Sequence, residues 1–156
     1  MLRITTKRLL LRPLAEGDAA RLAAYRSHEE VARYQSWSTF TLDDALALVH
    51  HDGPWTQIAI ALRATGEIIG DIGVCAAPDG SAEIGFTLAP EHQGRGYAGE
   101  AVRAVVERFP RVVAVVDARN APAIALVTRL GFRLQKTERT EFKGGVCDEH
   151  HFVLLR

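Results

Sequence analysis

Glu83 and a short glycine-containing segment downstream of it are the residues with the clearest chemical potential in this chain. The segment Gln93-Gly94-Arg95-Gly96-Tyr97-Ala98 follows a strand-like stretch and a turn marked by Pro90, and it opens a helical pattern. Backbone N–H groups at the start of a helix have no partner within the helix and favour anionic ligands. The order of elements therefore predicts a binding site for a diphosphate-bearing cofactor, with an acidic residue on the strand beside it.

Length and composition indicate one globular domain over residues 1–156. Apolar residues make up 47% of the chain and charged residues 24%, which is typical of a folded chain and not of a disordered one. Nineteen basic residues balance nineteen acidic ones. A zero net charge argues against general binding to nucleic acid or to an anionic membrane, because both favour a basic surface.

The sequence carries no visible targeting or metal-binding pattern. No apolar run approaches the ~20 residues of a membrane-spanning helix, and the stretch Met1–Arg8 lacks the apolar core of a secretory signal. We therefore expect a cytoplasmic protein. Cys75 and Cys147 lack zinc-type spacing and are predicted to be free thiols, with a bridge between them left open. Adjacent histidines point in different directions, so no metal site is expected.

The hydrophobic patterns predict an α+β fold that positions the glycine segment. Predicted strands are Leu2–Pro13, Gln57–Leu62, Ile68–Cys75, Ala82–Leu88, Arg111–Asp117, Phe132–Phe142 and Cys147–Leu155; helices begin at Asp18, Thr41, Gly96 and Asn120. The run Arg111–Asp117 is almost wholly apolar, which indicates a buried central strand. The helix Gly96–Phe109 is long enough to cross between parallel strands. A mostly antiparallel sheet with one parallel pair follows.

Four motifs in this order resemble the GNAT superfamily of N-acetyltransferases, and especially its RimJ/RimL-type branch. They are the opening Thr6–Leu14 with Asp18 after it, Ala82-Glu-Ile-Gly-Phe86, the loop Gln93–Ala98, and Asn120 through Gly131-Phe132. The resemblance covers essentially the whole chain. It implies a mixed, mostly antiparallel sheet of six or seven strands flanked by about four helices, with a splayed parallel pair at the cofactor cleft.

The resemblance also implies which residues hold acetyl-CoA, as a co-substrate and without a metal. The pyrophosphate would lie on amides of Gln93, Gly94, Arg95, Gly96, Tyr97 and Ala98. The pantetheine arm would pair with the backbone of Phe86, Thr87 and Leu88, and the amide of Thr87 or Leu88 would polarise the thioester carbonyl. Arg95 either touches phosphate or is a solvated surface residue. Asn120 either caps its helix or bonds the pantetheine amides.

Glu83 is the predicted catalytic base in this reading. An ammonium substrate must lose a proton before its nitrogen can attack, and a carboxylate can accept that proton directly or through water. Strand alternation places Glu83, Gly85 and Thr87 on one face. The family resemblance, and not the periodicity, implies that this face lines the cleft; the alternative is a solvent-facing glutamate. Asp71 on the neighbouring strand is the second candidate base, and a purely structural aspartate is its alternative.

The acceptor site and the general acid are less well specified. Tyr34, Trp37 and Phe40 lie in a region that borders the acceptor in relatives, so they form either a substrate wall or core packing. Two positions that often carry Ser and Tyr in the family are Ala123 and Val127 here. Proton return to the leaving thiolate is then left to water, or to a residue such as Tyr34 or Cys147, or is not needed.

These observations predict an acetyl-CoA-dependent N-acetyltransferase that transfers directly to a primary amine in a ternary complex. The acceptor is a protein N-terminal amine or a small amine. The alternative, suggested by Ala123 and Val127, is a catalytically silent CoA-binding sensor or interaction module. No nucleic-acid or membrane partner is expected, and a homodimer is left open.

Overall fold

An eight-stranded mixed sheet organises the chain in the computed structural model, which describes residues 3–156. The strands are β1 Ile4–Thr5, β2 Leu9–Pro13, β3 Trp55–Leu62, β4 Ile68–Ala76, β5 Ala82–Leu88, β6 Arg111–Asp117, β7 Arg133–Phe142 and β8 Gly145–Leu155. Their order across the sheet is β1-β2-β3-β4-β5-β6-β8-β7. The pair β5–β6 is parallel and the other pairs within the described chain are antiparallel. The predicted α+β architecture is confirmed.

The first predicted strand is a hairpin. Its Leu2 lies outside the described residues, and the rest divides into β1 and β2. The Thr6 N–H donates to the Leu9 carbonyl at 2.9 Å, and the Leu9 N–H donates to the Thr6 Oγ1 at 3.1 Å. These two bonds close a tight turn that an extended strand could not contain. The division raises the strand count to eight from the six or seven predicted.

Within residues 3–156, five helices connect the strands: α1 Ala19–Arg26, α2 Glu29–Ala32, α3 Leu42–Val49, α4 Tyr97–Val106 and α5 Ala121–Arg129. The single-turn α2 was not predicted, because four residues are too few to show a helical period. Asp18 was predicted to cap α1. Its carboxylate instead accepts the Ala15 N–H at 2.8 Å and pairs with Arg12, so it closes the 3-10 turn before α1. No helix within residues 3–156 is long and apolar enough to span a bilayer.

The sheet separates two hydrophobic layers. Helices α4 and α5 cover one face, where Val102 and Val127 pack with strand residues such as Ile72 and Ile84. On the opposite face α1 and α3 pack over β3 and β4, and Leu22 and Ala59 are buried there. Because side chains alternate along a strand, the Glu83 and Thr87 side chains belong to the α1 face of the sheet.

The parallel pair separates soon after it begins. Pairing joins Ala82, Glu83 and Ile84 to β6, and the register stops at Ile84. On its other edge β5 stays paired with β4 as far as Leu88. The backbone of Phe86–Leu88 therefore presents an edge without a neighbouring strand, and the predicted splayed pair is confirmed.

Candidate active site

Two cavities meet at this open edge of β5. The loop cavity, about 620 Å³, lies between β5, the glycine segment and α5. The aromatic cavity, about 600 Å³, lies on the α1 face and is walled by Trp37, Phe40 and Trp55. Gln35, Phe86 and Thr87 line both. A molecule in one cavity can therefore reach a molecule in the other across β5.

The glycine segment forms one end of the loop cavity. Gly94 and Gly96 have φ values of +78° and +83°, a left-handed conformation that other residues adopt only with strain. A Cβ on Gly94 would meet no atom within 4 Å, so the backbone angle, and not crowding, favours glycine there. Tyr97 and Ala98 begin α4 and line the same cavity. The partial positive charge of this helix start favours an anion.

Five other predicted cofactor residues line this cavity, and Arg95 does not. Gln93 donates from Nε2 to the Leu88 carbonyl at 3.0 Å, which ties the loop to β5. The Arg95 side chain is exposed and outside the cavity lining. Its carbonyl accepts Nη1 of Arg8 at 3.0 Å, and the Arg8 guanidinium stacks on Tyr97 at 4.3 Å. Arg95 therefore contributes backbone geometry to the loop.

The amides of β5 differ in direction. The Ala89 N–H donates to the Ile69 carbonyl at 2.7 Å, so it points toward β4. Successive residues of a strand direct their backbone groups to opposite edges, and Thr87 therefore faces β4 as well. Leu88 and Phe86 face the open edge. Of the two amides considered as thioester donors, the one at Leu88 is directed into the cleft.

Asn120 and the two departures from the family pattern lie along α5. The Asn120 Oδ1 accepts the Ala123 N–H at 3.3 Å and caps the helix, and the residue also lines the loop cavity. Ala123 lines that cavity too, whereas Val127 is fully buried in the core. Neither position offers a proton donor.

The structure separates the two predicted acceptor residues. Trp37 lines the aromatic cavity, and its ring lies 5.4 Å from that of Phe40. Tyr34 lines the loop cavity, where the Arg119 guanidinium lies 5.5 Å from its ring. Tyr34 therefore belongs to the lining of the loop cavity and not to the aromatic wall.

A buried ion pair forms the floor of the aromatic cavity. Asp71 is 1% exposed and accepts Nη2 of Arg26 at 2.5 Å, the Thr87 hydroxyl at 2.8 Å and the Tyr25 hydroxyl. Burial alone would lower the pKa of Arg26, but the charge and hydrogen bonds of Asp71 raise it on balance. Both oxygens of Asp71 are engaged by buried donors. This favours the structural reading of Asp71 over its role as a base.

Glu83 lies beside the aromatic cavity. It is half-buried, and burial raises the pKa of its carboxyl, helped by Glu149 and opposed by His151. Glu83 does not line either cavity directly, but Gly85 on the same face lines the aromatic one. A Cβ on Gly85 would meet nothing within 4 Å, so open space adjoins this part of the strand. This open space lies two residues along β5 from Glu83, on the same face of the sheet.

The two cysteines are unbridged, as predicted. Cys147 is buried, and burial together with the charge of Asp117 raises the pKa of its thiol. It lines neither of the two cavities, so neither cavity places it as a candidate proton donor. Within residues 3–156, no three His, Cys, Asp or Glu side chains are grouped in a way that could hold a metal ion.

Several lining residues of the aromatic cavity were missed by the sequence analysis: Arg26, Gln35, Asp44, His51, Trp55 and Gln57. They come from α1, α3, β3 and the connections between them, and no local motif links them. The available signal was the concentration of aromatic residues between Tyr34 and Trp55. Only the packing of α1 and α3 on the sheet brings these segments together.

Comparisons with known proteins agree with this geometry. A family model described as the acetyltransferase (GNAT) domain matches residues 8–133. The chain is 31% identical to an uncharacterized N-acetyltransferase, p20, of Bacillus licheniformis, over 97% of this chain and 94% of that protein.

Two solved structures share the fold. Spermidine N-acetyltransferase from Vibrio cholerae, in complex with CoA and spermine, superposes with a TM-score of 0.84 at 21% identity, over 96% of each chain. RimL, a ribosomal L7/L12 alpha-N-protein acetyltransferase in complex with CoA, superposes with a TM-score of 0.85 at 18% identity, over 99% of this chain and 98% of that one.

Proposed function

Because the chain belongs to the GNAT acetyltransferase family, we propose that it moves an acetyl group from acetyl-CoA to a primary amine by direct transfer in a ternary complex. The observation that carries this proposal is the meeting of two cavities at Phe86 and Thr87. One cavity has an anion-binding helix start, and the other has aromatic walls. A donor and an acceptor can then be bound together.

The loop cavity fits acetyl-CoA. The amides between Gly94 and Ala98 would hold the pyrophosphate, and Asn120 with the open edge of β5 would hold the pantetheine arm. The left-handed glycines leave the loop backbone accessible to phosphate oxygens. The spermidine N-acetyltransferase and RimL structures are both complexes with CoA, which supports the same ligand here. Acetyl-CoA supplies the activated acyl group.

Glu83 would take the proton from the acceptor ammonium. Burial raises the pKa of its carboxyl toward neutrality, which improves a carboxylate as a base. The neutral nitrogen would then attack the carbonyl carbon, and the Leu88 N–H would donate to the oxygen as negative charge develops on it. As the carbon–sulfur bond breaks, the nitrogen would release its second proton to water and become the amide nitrogen, and Tyr34 or a water in the loop cavity would return a proton to sulfur.

Two acceptor classes fit the aromatic cavity. RimL is described as acting on a protein α-amine, and the other structure is named for spermidine. A cavity of about 600 Å³ open to solvent has room for the first residues of a peptide or for a small amine. We place the protein N-terminal amine first, on the resemblance to the RimJ/RimL branch, and the small amine second.

The second candidate function is a CoA-binding module without turnover. Ala123 and Val127 favour it, because the family's usual proton donors are missing at both positions. The two functions are separated by mixing the protein with acetyl-CoA and a panel of peptides, polyamines, amino acids and amino sugars, and measuring thiol release. Release above the blank supports the enzyme. No release, with a CoA-dependent rise in melting temperature, supports the module.

A substitution tests the role of Glu83. We expect Glu83→Gln to lower turnover by about 10²–10⁴-fold with little change in CoA affinity, because the amide cannot accept the proton. Glu149→Gln is the matched control, since it removes a neighbouring carboxylate from the same face of the sheet. Equal turnover in the wild type and Glu83→Gln would remove Glu83 from the mechanism.

A further inference from the structure

The buried Arg26–Asp71 pair lines the aromatic cavity and is bonded to Thr87, which lines both cavities, although the pair takes no part in the proposed proton transfer. Arg26 is 6% exposed and Asp71 is 1% exposed. Three different side chains donate to the Asp71 carboxylate: Arg26 through Nε and Nη2, Tyr25 and Thr87 through their hydroxyls. A buried ion pair with this many bonds is held in one geometry, since a group that lost its partner there would stay desolvated.

One side of this cluster fixes the open edge of β5. Thr87 is paired with Asp71 in the sheet register, and its hydroxyl donates to Asp71 Oδ2 at 2.8 Å. Thr87 is therefore attached to Asp71 both through the strand pairing and through its side chain. Phe86 and Leu88, on either side of it, carry the amides that face the cleft. Fixing Thr87 fixes the direction of those amides.

The other side of the cluster fixes the wall of the aromatic cavity. The Arg26 guanidinium lies 4.3 Å from the Trp37 ring centre and 4.9 Å from that of Phe40. The Trp37 Nε1 donates to the Arg26 carbonyl at 2.9 Å. The segment after α2 is thereby attached to the same ion pair that holds Thr87. Cation–π contacts with a desolvated guanidinium are among the stronger ones.

We propose that Asp71 is a positioning residue that holds the thioester-binding edge of β5 and the aromatic acceptor wall in a fixed relation. The inference rests on the proposed function for its meaning. It does not need Asp71 to touch either substrate or to exchange a proton. Its physical basis is that transfer between two bound molecules depends on their separation and angle, so that a displacement of about 1 Å can cost on the order of 10²-fold in rate.

Two substitutions test the proposal. Each removes one hydroxyl donor from the same oxygen of the Asp71 carboxylate, Oδ2. Thr87→Val removes the donor on the β5 side and keeps the size and β-branching of the side chain. Tyr25→Phe removes the donor from α1, and Tyr25 lines neither cavity. Thr87→Ser keeps the hydroxyl and is the rescue variant. A role limited to stability would lower the melting temperature in both deletions and leave binding unaltered.

Three quantities are measured: the dissociation constant of CoA, the dissociation constant of adenosine 3′-phosphate 5′-diphosphate, and kcat with the amine of the panel that gives the fastest thiol release. Adenosine 3′-phosphate 5′-diphosphate is the nucleotide part of CoA and lacks the pantetheine arm. We expect Thr87→Val to weaken CoA binding about five- to tenfold and to lower kcat about tenfold or more, through misplaced β5 amides. Binding of the nucleotide without the arm is expected to be unchanged. Tyr25→Phe is expected to stay within about threefold of wild type in all three, and Thr87→Ser is expected to recover most of the CoA affinity and of the kcat that Thr87→Val loses.

Equal changes in Thr87→Val and Tyr25→Phe would overturn the proposal, as would no change in either. Loss of both ligands in Thr87→Val would also overturn it, because the damage would then extend to the glycine loop. The binding comparison is independent of turnover. If the wild type shows no thiol release with any amine, the proposed function fails while the two dissociation constants still decide the role of Asp71.

Discussion

The Nε of Arg8 donates to Oε1 of Glu100 at 2.7 Å, which joins the turn between β1 and β2 to the first turns of α4. The same guanidinium donates to the Arg95 carbonyl at 3.0 Å. Thr6 adds a hydroxyl bond to Glu100 at 2.6 Å. The turn that divides the predicted first strand is therefore also a brace for the glycine loop.

Removing this brace is expected to loosen the loop. Arg8→Ala should weaken CoA binding about three- to tenfold, because loop amides that are no longer held must be ordered on binding. The control is Arg63→Ala, since Arg63 donates to the Thr6 and Lys7 carbonyls of the same turn without contacting α4. Isothermal titration with CoA measures both. Similar losses in the two variants would contradict a specific brace.

Two glycines of one segment should respond to alanine with opposite signs. Gly96 has a φ of +83°, and Gly96→Ala is expected to lower the free energy of unfolding by about 1–2 kcal/mol because of the left-handed backbone. Gly99 lies within α4, and a Cβ there meets no atom within 4 Å. Gly99→Ala is expected to raise the free energy of unfolding by about 0.5–1 kcal/mol. Denaturant unfolding of the ligand-free protein tests the contrast; the same sign for both would refute it.

The raised pKa of Glu83 links stability to pH. The folded protein keeps the Glu83 proton to a higher pH than the unfolded chain, so this group's contribution falls as the pH rises from the ordinary carboxyl pKa through the raised one. Glu83→Gln removes that effect. We expect the variant to gain melting temperature relative to wild type at pH 7 and to lose that gain near pH 4. A difference that does not vary with pH would exclude the linkage.

The same carboxylate should set the acidic limb of the activity profile. If Glu83 must be ionised to accept the ammonium proton, kcat/KM should rise with pH through a pKa above the ordinary glutamate value. The measurement is kcat/KM for the best amine between pH 4 and pH 8. In Glu83→Gln we expect this limb to be absent from the residual activity. An unchanged limb would assign it to another group.

The contribution of Asp18 to stability should depend on pH with the opposite sign to that of Glu83. Burial opposes its ionisation, but hydrogen bonds from Arg12 and from the Ala15 N–H lower its pKa on balance. Its stabilising contribution is therefore complete above the ordinary aspartate pKa and is lost as the pH falls through the lowered one. Asp18→Asn should cost about 1–3 kcal/mol at pH 7 and progressively less below pH 4. Urea unfolding at both pH values checks the sign.

Local patterns predicted the elements nearest the loop cavity well. The bounds of β5 and β6 agree with the prediction, because Pro90 and Pro110 mark chain breaks and the apolar run of β6 indicates burial. The loop itself is recognisable because left-handed backbone positions favour glycine, as at Gly94 and Gly96. Asp18 stands at the N-cap position of α1 as predicted, but its side chain makes no capping bond, since the position of Arg12 decides where its carboxylate turns.

The sequence by itself determined the strand–loop–helix unit and the acidic residue beside it, because those features depend on neighbours along the chain. Only the tertiary structure decided that Asp71 holds Arg26 and Thr87, and that Trp37 and Tyr34 line different cavities. Arg26 and Asp71 lie 45 positions apart. Such a contact depends on strand register and helix packing, and a one-residue slip in β4 would turn Asp71 to the opposite face of the sheet.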